Sequence, residues 1–133
     1  MFAHFTQGSN DLPRAIRFYD ALLAALNIKR RESADNDEIV CYQGNDTDSP
    51  GFFVCIPFDD KPASVGNGAM VAFRAENKSQ VDNSYQAGMA NGGIDEGPPG
   101  ERPHYAKGYY GAYLRDPDGN KIHIVFRGDK LQA

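Results

Sequence analysis

The chain reads as two copies of one pattern. Adding 66 to a residue number carries His4 to Met70, Tyr19 to Tyr85 and Ile28 to Ile94. The same step superimposes the helix end Leu26-Asn27-Ile28 on Gly92-Gly93-Ile94. Self-similarity at a fixed period marks a supersecondary unit used more than once. The unit here is a strand, a helix and three strands. One helix covers only one face of a sheet, so two such units can pair with their uncovered faces curved around a shared cleft. The expected class is α+β: two βαβββ modules forming a curved mixed sheet around a cleft, with helices on the outer faces. The alternative is a small α+β domain in which two βα starts align by chance.

The elements follow from periodicity. Phe2 to Gln7 reads as a short strand. Asn10 or Asp11 can cap a helix, and Pro13 is tolerated in its first turn. Leu12, Ala15, Ile16, Tyr19, Leu22, Leu23 and Leu26 then recur at three- and four-residue steps, one apolar helical stripe that Asn27 can end. Extended runs follow at Lys29 to Ser33, Glu38 to Gln43 and Gly51 to Pro57, separated by turn-prone residues such as Gly44 to Pro50. After Asp59 to Asn67, rich in Pro, Gly and charge, the pattern restarts. Ala69 to Arg74 reads as a strand, and Ser79 to Asn91 as a helix with Val81, Tyr85 and Met89 on one face. Gly92-Gly93 stops that helix. A loop-rich stretch containing the rigid turn Pro98-Pro99-Gly100 and two strands complete the chain. The expected organisation is one domain over residues 1–133, with module one over about 1–58, a linker over 59–67 and module two over 68–127.

Composition narrows the function classes. A net charge of -4 and a pI near 5.2 argue against a nucleic-acid footprint, which needs a clustered basic surface. Lys29-Arg30-Arg31 is the only basic run and reads as a solvated strand start. No apolar run reaches bilayer-spanning length, and Met1-Phe2-Ala3-His4 lacks the shape of a signal peptide, so the expected compartment is the cytoplasm. Cys41 and Cys55 lie in strands among apolar neighbours and read as reduced, buried thiols.

Near the C-terminus stands Asp116-Pro117-Asp118-Gly119-Asn120, between two alternating apolar strands. Pro117 presets φ at the second turn position, and Gly119 can take the positive φ of a bulged hairpin. The turn sets Tyr110 to Arg115 against Lys121 to Arg127. It thereby puts His123 on a face with Val125, opposite Ile122, Ile124 and Phe126. The richer apolar face belongs under a helix, so His123 points into the cleft. His4 likewise shares a face with Phe2 and Thr6. A Gly/Pro-bounded loop, Glu101 to Tyr110, gathers Arg102, His104, Tyr105 and Tyr109, and loops of this kind hold ligand groups on a rigid scaffold.

These residues together resemble the vicinal oxygen chelate superfamily, the glyoxalase, bleomycin-resistance and extradiol dioxygenase group. The resemblance is carried by His4 in the first strand, Ser9-Asn10-Asp11-Leu12 opening a helix that contains Arg17-Phe18-Tyr19, Gly66-Asn67-Gly68, and Tyr113-Leu114-Arg115-Asp116-Pro117-Asp118-Gly119-Asn120-Lys121-Ile122. It covers nearly the whole chain and implies paired βαβββ modules. It also implies a divalent metal (zinc, nickel or manganese) held at four inward positions, which fall here on His4, Phe53, Met70 and His123. The family usually has histidine or glutamine on the first strands and glutamate on the last, so this chain departs at Phe53, Met70 and His123. His4 and His123 remain as the implied metal ligands and catalytic groups, with a carboxylate such as Glu101, or one from a partner subunit, to complete the set. The resemblance further implies a small organic ligand lying over Phe53, Met70, Arg102, His104, Tyr105, Tyr109 and Tyr113, and a homodimer. The implied activity is a lyase or isomerase acting on an oxygenated substrate, as lactoylglutathione lyase does. The alternative is a non-catalytic protein that sequesters a drug or metabolite.

Overall fold

Helix α1 (Leu12–Ala24) starts where Asp11 caps it, its carboxylate accepting from the Arg14 amide at 3.1 Å. It ends where Asn27 turns left-handed at φ 58°. Of the expected apolar stripe Leu12, Ala15, Tyr19, Leu22, Leu23 and Leu26 are buried and Ile16 is half-buried; Phe18, outside that stripe, is buried with them. The computed structural model describes residues 1–46 and 48–128; Thr47, in the Gly44 to Pro50 turn, and residues 129–133 of the expected domain lie outside them.

Two four-stranded sheets flank the helices. The first contains β1 (His4–Gly8), β2 (Lys29–Arg30), β3 (Ile39–Gln43) and β4 (Gly51–Cys55) in the order β1-β4-β3-β2. The second contains β5 (Val71–Arg74), β6 (Ile94–Glu101), β7 (Tyr110–Arg115) and β8 (Lys121–Phe126) in the order β5-β8-β7-β6. Both orders are the same, with the outer parallel pair β1·β4 or β5·β8 and the rest antiparallel. The architecture is therefore α+β and doubled, two βαβββ modules. Thr6 pairs with Phe53 and Ala72 with His123. Since Thr6 and Ala72 are one repeat apart, Phe53 and His123 occupy equivalent places.

Three elements differ from the expectation. Strand β2 is two residues long, because the Arg30 guanidinium gathers Asp20 at 3.0 Å and Asp35 at 2.6 Å and draws Glu32–Ala34 into a single 3₁₀ turn. Helix α2 (Lys78–Ala90) buries Val81, Ser84 and Gly88, leaving Met89 exposed. It lies close on α1: a side chain at Gly88 would meet Leu114 and Leu22 below 3 Å, and Ser84 Oγ donates to the Leu22 carbonyl at 2.8 Å. Small residues, not large apolar ones, make that contact. Pro98-Pro99-Gly100 is part of β6, not a turn. As the outermost strand, β6 tolerates residues without an N–H, with register shifts between Asp95 and Gly97 and between Gly97 and Gly100.

The β7–β8 hairpin has the register set by its turn, Tyr113 opposite His123 and Arg115 opposite Lys121, with Gly119 at φ 92°. Its acidic residues tie the modules together. Asp116, 1% exposed, accepts from Tyr19 Oη at 2.5 Å, from Asn120 Nδ2 at 2.9 Å and from the amides of Asp118 and Asn120 at 2.9 Å. Asp118 accepts from Ser9 Oγ at 2.6 Å and from Arg14 at 2.9 Å. Asn120 Nδ2 also donates to the Gly8 carbonyl at 3.0 Å. The motif is thus a clasp between the last hairpin and the first strand and helix. One core runs through both modules, joined by Phe52 and Phe73 at 5.0 Å between ring centroids.

Candidate functional site

Alternation along β7 and β8 separates two faces. Ala112, Leu114, Ile122 and Ile124 are buried in the core with α2. Gly111, Tyr113, Arg115, Lys121, His123 and Val125 occupy the opposite face. His123 is 1% exposed on that face. Its Nδ1 lies 2.9 Å from the Ala112 carbonyl, and its Nε2 lies 2.7 Å from Tyr109 Oη. A carbonyl can only accept, so Nδ1 carries the proton and Nε2 accepts from the phenol. Burial holds the His123 pKa below its usual value; Arg102, Arg127 and Lys121 add to the effect, and the Ala112 hydrogen bond opposes it.

Aromatic stacking fixes this ring. Tyr113 stacks on His123 at 4.0 Å and 8°, and Tyr109 at 5.8 Å and 13°. Gly111 leaves room for it, since a Cβ there would lie 2.6 Å from His123 Cε1. Tyr105 packs on Tyr109 at 5.2 Å, and His104 on Tyr105 at 4.2 Å. Burial, then the neighbouring Tyr105 and Tyr109 phenols, raise the Tyr113 pKa. The loop that supplies these rings is tied to itself, with the Arg102 amide donating to the Tyr109 carbonyl at 2.8 Å.

A hollow of about 490 Å³ opens beside the stack, lined by Met70, Glu96, Gly97, Arg102, Tyr105, Tyr113 and Lys121. Met70 and Lys121 also line an adjoining hollow of about 550 Å³ that reaches Arg115. The structure thus brings together Met70, Arg102, Tyr105, Tyr109, Tyr113 and His123, with His104 packed on Tyr105. Lys121, which sequence reasoning did not select, belongs with them; its position two residues before His123 on the same strand face was the available signal. A separate apolar hollow of about 210 Å³, lined by residues such as Phe5, Tyr42, Phe52 and Phe73, contains none of the candidate residues.

His4 and Phe53 stand elsewhere. They lie on the helix-free face of the first sheet, edge to face at 5.3 Å, with bare Gly51 between His4, Phe53 and Cys41. His4 is exposed. Among the described residues, no hydrogen bond or ring contact joins this pair to the His123 cluster.

The donor set does not fit a resident divalent metal. Both His123 nitrogens are engaged. Phe53 offers no donor, and the Met70 thioether suits soft ions rather than zinc, nickel or manganese. Glu101 pairs with Lys78 at 2.6 Å. Among the described residues, no three His, Cys, Asp or Glu side chains group to hold an ion.

The sequence model of the Glyoxalase/Bleomycin resistance protein/Dioxygenase superfamily matches residues 1–124. A glyoxalase/bleomycin resistance protein from Albidiferax ferrireducens is 40% identical, with 94% of this chain and 97% of that chain covered and a TM-score of 0.82. A glyoxalase-related enzyme from Fulvimarina pelagi is 25% identical, with 95% and 87% covered and a TM-score of 0.73. A lactoylglutathione lyase from Agrobacterium tumefaciens shares the fold at 19% identity, with 99% and 96% covered and a TM-score of 0.66. No relative is found among the curated proteins. The doubled βαβββ fold is that of a glyoxalase-like protein. The chain belongs to the Glyoxalase/Bleomycin resistance protein/Dioxygenase superfamily.

Proposed function

We propose that this protein binds a small organic molecule on the helix-free face of its second sheet, against Tyr113 and over Met70, Arg102, Tyr105 and Tyr109. The observation that carries the reading is the Tyr109–His123–Tyr113 stack beside an open hollow, a set of polar groups converging on a concave aromatic wall. A thermal-shift screen tests it. A compound at about a hundred times its dissociation constant adds roughly 2.7 kcal/mol of stability. A rise in melting temperature that disappears in Tyr113→Ala supports the site; a rise that persists there refutes it.

One observation favours turnover over simple sequestration. His123 is oriented with a free-base Nε2 facing a phenol, so Tyr109 can pass a proton between the ring and a substrate carbon or oxygen. In this reading His123 is a metal-free base and the activity is that of a lyase or isomerase on an oxygenated substrate. Metal-assisted chemistry on His4 and His123 would require Tyr109 to release Nε2 and the two sheets' histidines to meet. Assay of lactoylglutathione formation with and without added nickel or zinc separates these versions: metal-dependent turnover lost in His4→Ala refutes the metal-free base.

A homodimer fits the surface. Phe2 and Phe5 pack with their ring centroids 5.2 Å apart while 57% and 37% exposed, beside the free edge of β1. Light scattering on the eluting protein tests it, and a monomer at micromolar concentration refutes it. The two free cysteines, Cys41 and Cys55, suit the reducing cytoplasm. No helix among the described residues is long and apolar enough to cross a membrane.

A further inference from the structure

The protein carries a net charge of -4, yet the face that bears His123 is cationic. Arg102, Lys121 and Arg127 all act on the imidazole as positive charges. Arg115 shares the face and is already paired, donating to Glu96 at 2.9 Å. Among the described residues Arg102 and Lys121 have no such partner. Among them the Arg102 guanidinium donates to the Pro98 carbonyl at 2.8 Å and the Glu101 carbonyl at 3.3 Å. Among the described residues no carboxylate pairs with Lys121.

Both cations converge on one ring. The Arg102 guanidinium lies 5.9 Å and the Lys121 ammonium 5.3 Å from the Tyr113 centroid, and both line the hollow of about 490 Å³. Glu96, which also lines the hollow, is engaged by Arg115 at 2.9 Å, so Arg102 and Lys121 remain two like charges that repel each other, and an anion between them relieves that repulsion. Apart from Glu96 and Gly97, the remaining wall is Met70, Tyr105 and Tyr113. Met70 is 43% and Tyr105 54% exposed, both large side chains left without cover. Such a wall suits a planar carbon body, not a bare inorganic ion.

We propose that this hollow selects small organic anions, with a carboxylate, phosphate or phosphonate head between Arg102 and Lys121 and a planar body over Met70 and Tyr105. Arg102 presents a planar fork for two acceptor oxygens, and Lys121 adds a mobile point charge. The inference rests on the small-molecule reading above and specifies its substrate class.

Amide NMR titrations of the full chain test it with benzoate, phenylphosphonate, neutral benzamide and inorganic phosphate as probes. The expected result is that benzoate or phenylphosphonate shifts the amides of Gly97, Tyr113 and Lys121 and binds at least about tenfold tighter than benzamide. Whichever of the two anions binds better identifies the head group as carboxylate or phosphorus oxyanion. Arg102→Gln and Lys121→Gln each lower anion affinity by about tenfold, the effect of losing one charge-assisted contact, and lower benzamide affinity by less. The amide spectrum of each variant reports that it remains folded. Equal affinity for benzoate and benzamide overturns the anion preference and leaves the small-molecule reading standing. So does unaltered anion binding in the folded double variant. Inorganic phosphate binding as tightly as phenylphosphonate overturns the organic body. Failure of all four probes to shift these amides overturns the inference together with the small-molecule reading.

Discussion

Removing one oxygen atom from Tyr19 tests whether the Asp116 turn is a clasp. Tyr19 is 0% exposed, and its hydroxyl donates to Asp116 at 2.5 Å. In Tyr19→Phe the ring keeps its edge-to-face contacts with Phe18 at 4.9 Å and Phe52 at 5.1 Å, so no cavity opens. What is lost is one buried hydrogen bond to a charged acceptor, worth about 1.5–3 kcal/mol. Asp116 retains its donors from Asn120 and Asp118, so the carboxylate is not stranded and the lower half of that range applies, about 2 kcal/mol. That corresponds to a melting temperature lower by roughly 8 °C for a chain of this size.

The same bond fixes the pH dependence. Burial raises the Asp116 pKa, while its bonds from Tyr19 and Asn120 oppose the rise. A raised carboxyl pKa means the folded state holds its proton more tightly than the unfolded one. Its contribution to stability is therefore present at low pH and lost as pH climbs through the folded value. Without the Tyr19 hydroxyl the folded value rises further, and the loss extends to higher pH. The stability difference between wild type and Tyr19→Phe, from urea midpoints at unchanged slope, should be small where Asp116 is protonated and full where it is ionised. A difference below about 0.5 kcal/mol at neutral pH, inside the range of ordinary surface changes, or one that ignores pH, refutes the clasp.

Other consequences are equally direct. Gly111→Ala drives a methyl group to 2.6 Å from His123 Cε1 and 3.0 Å from the Ile124 carbonyl, and should destabilise by about 1–3 kcal/mol in urea; wild-type stability would show that the ring has room to move. Tyr109→Phe removes a donor to the neutral imidazole and should raise the His123 titration midpoint, read by histidine NMR; an unmoved midpoint contradicts the bond. Because burial lowers the His123 pKa, the folded state binds fewer protons than the unfolded one, and stability should fall as pH drops from about 6.5 toward the folded value; in His123→Gln this segment of the pH profile should flatten. Equilibration with zinc, nickel or manganese followed by dialysis should leave substoichiometric metal, and a full equivalent that is lost in His4→Ala and His123→Ala would contradict the donor analysis.

The doubling was legible because both helices and the last hairpin declare themselves locally: an apolar stripe from Leu12 to Leu26, a capped second helix, and a turn whose residues each have a conformational job. The constant step of 66 holds across the helices, Leu12 to Lys78, but Phe53 and His123 are 70 apart. The long outer strand β6 absorbs the difference, and its Pro98-Pro99-Gly100 hides it, since an edge strand needs neither regular donors nor alternation. Of the expected α2 face Val81 and Tyr85 pack on the core and Met89 does not, because Ser84 and Gly88 mark close helix contact, which apolar periodicity does not report. Alternation correctly put His123 on the open face. It could not show that Tyr109, fourteen residues away, closes Nε2. Nor could it show that His4, on the first sheet, stands apart from His123, because that depends on how the sheets pack and not on any local pattern.

The chain has 3 histidines, which makes nitrogen-15 labelling of the imidazoles the most direct probe of the candidate site. His123 should appear as the neutral ring protonated on Nδ1, hydrogen-bonded at both nitrogens, titrate below the ordinary histidine value, and shift when a ligand fills the hollow. A ring protonated on Nε2, or one titrating at or above that value, would contradict the arrangement of Tyr109, His123 and Tyr113 on which the functional reading stands.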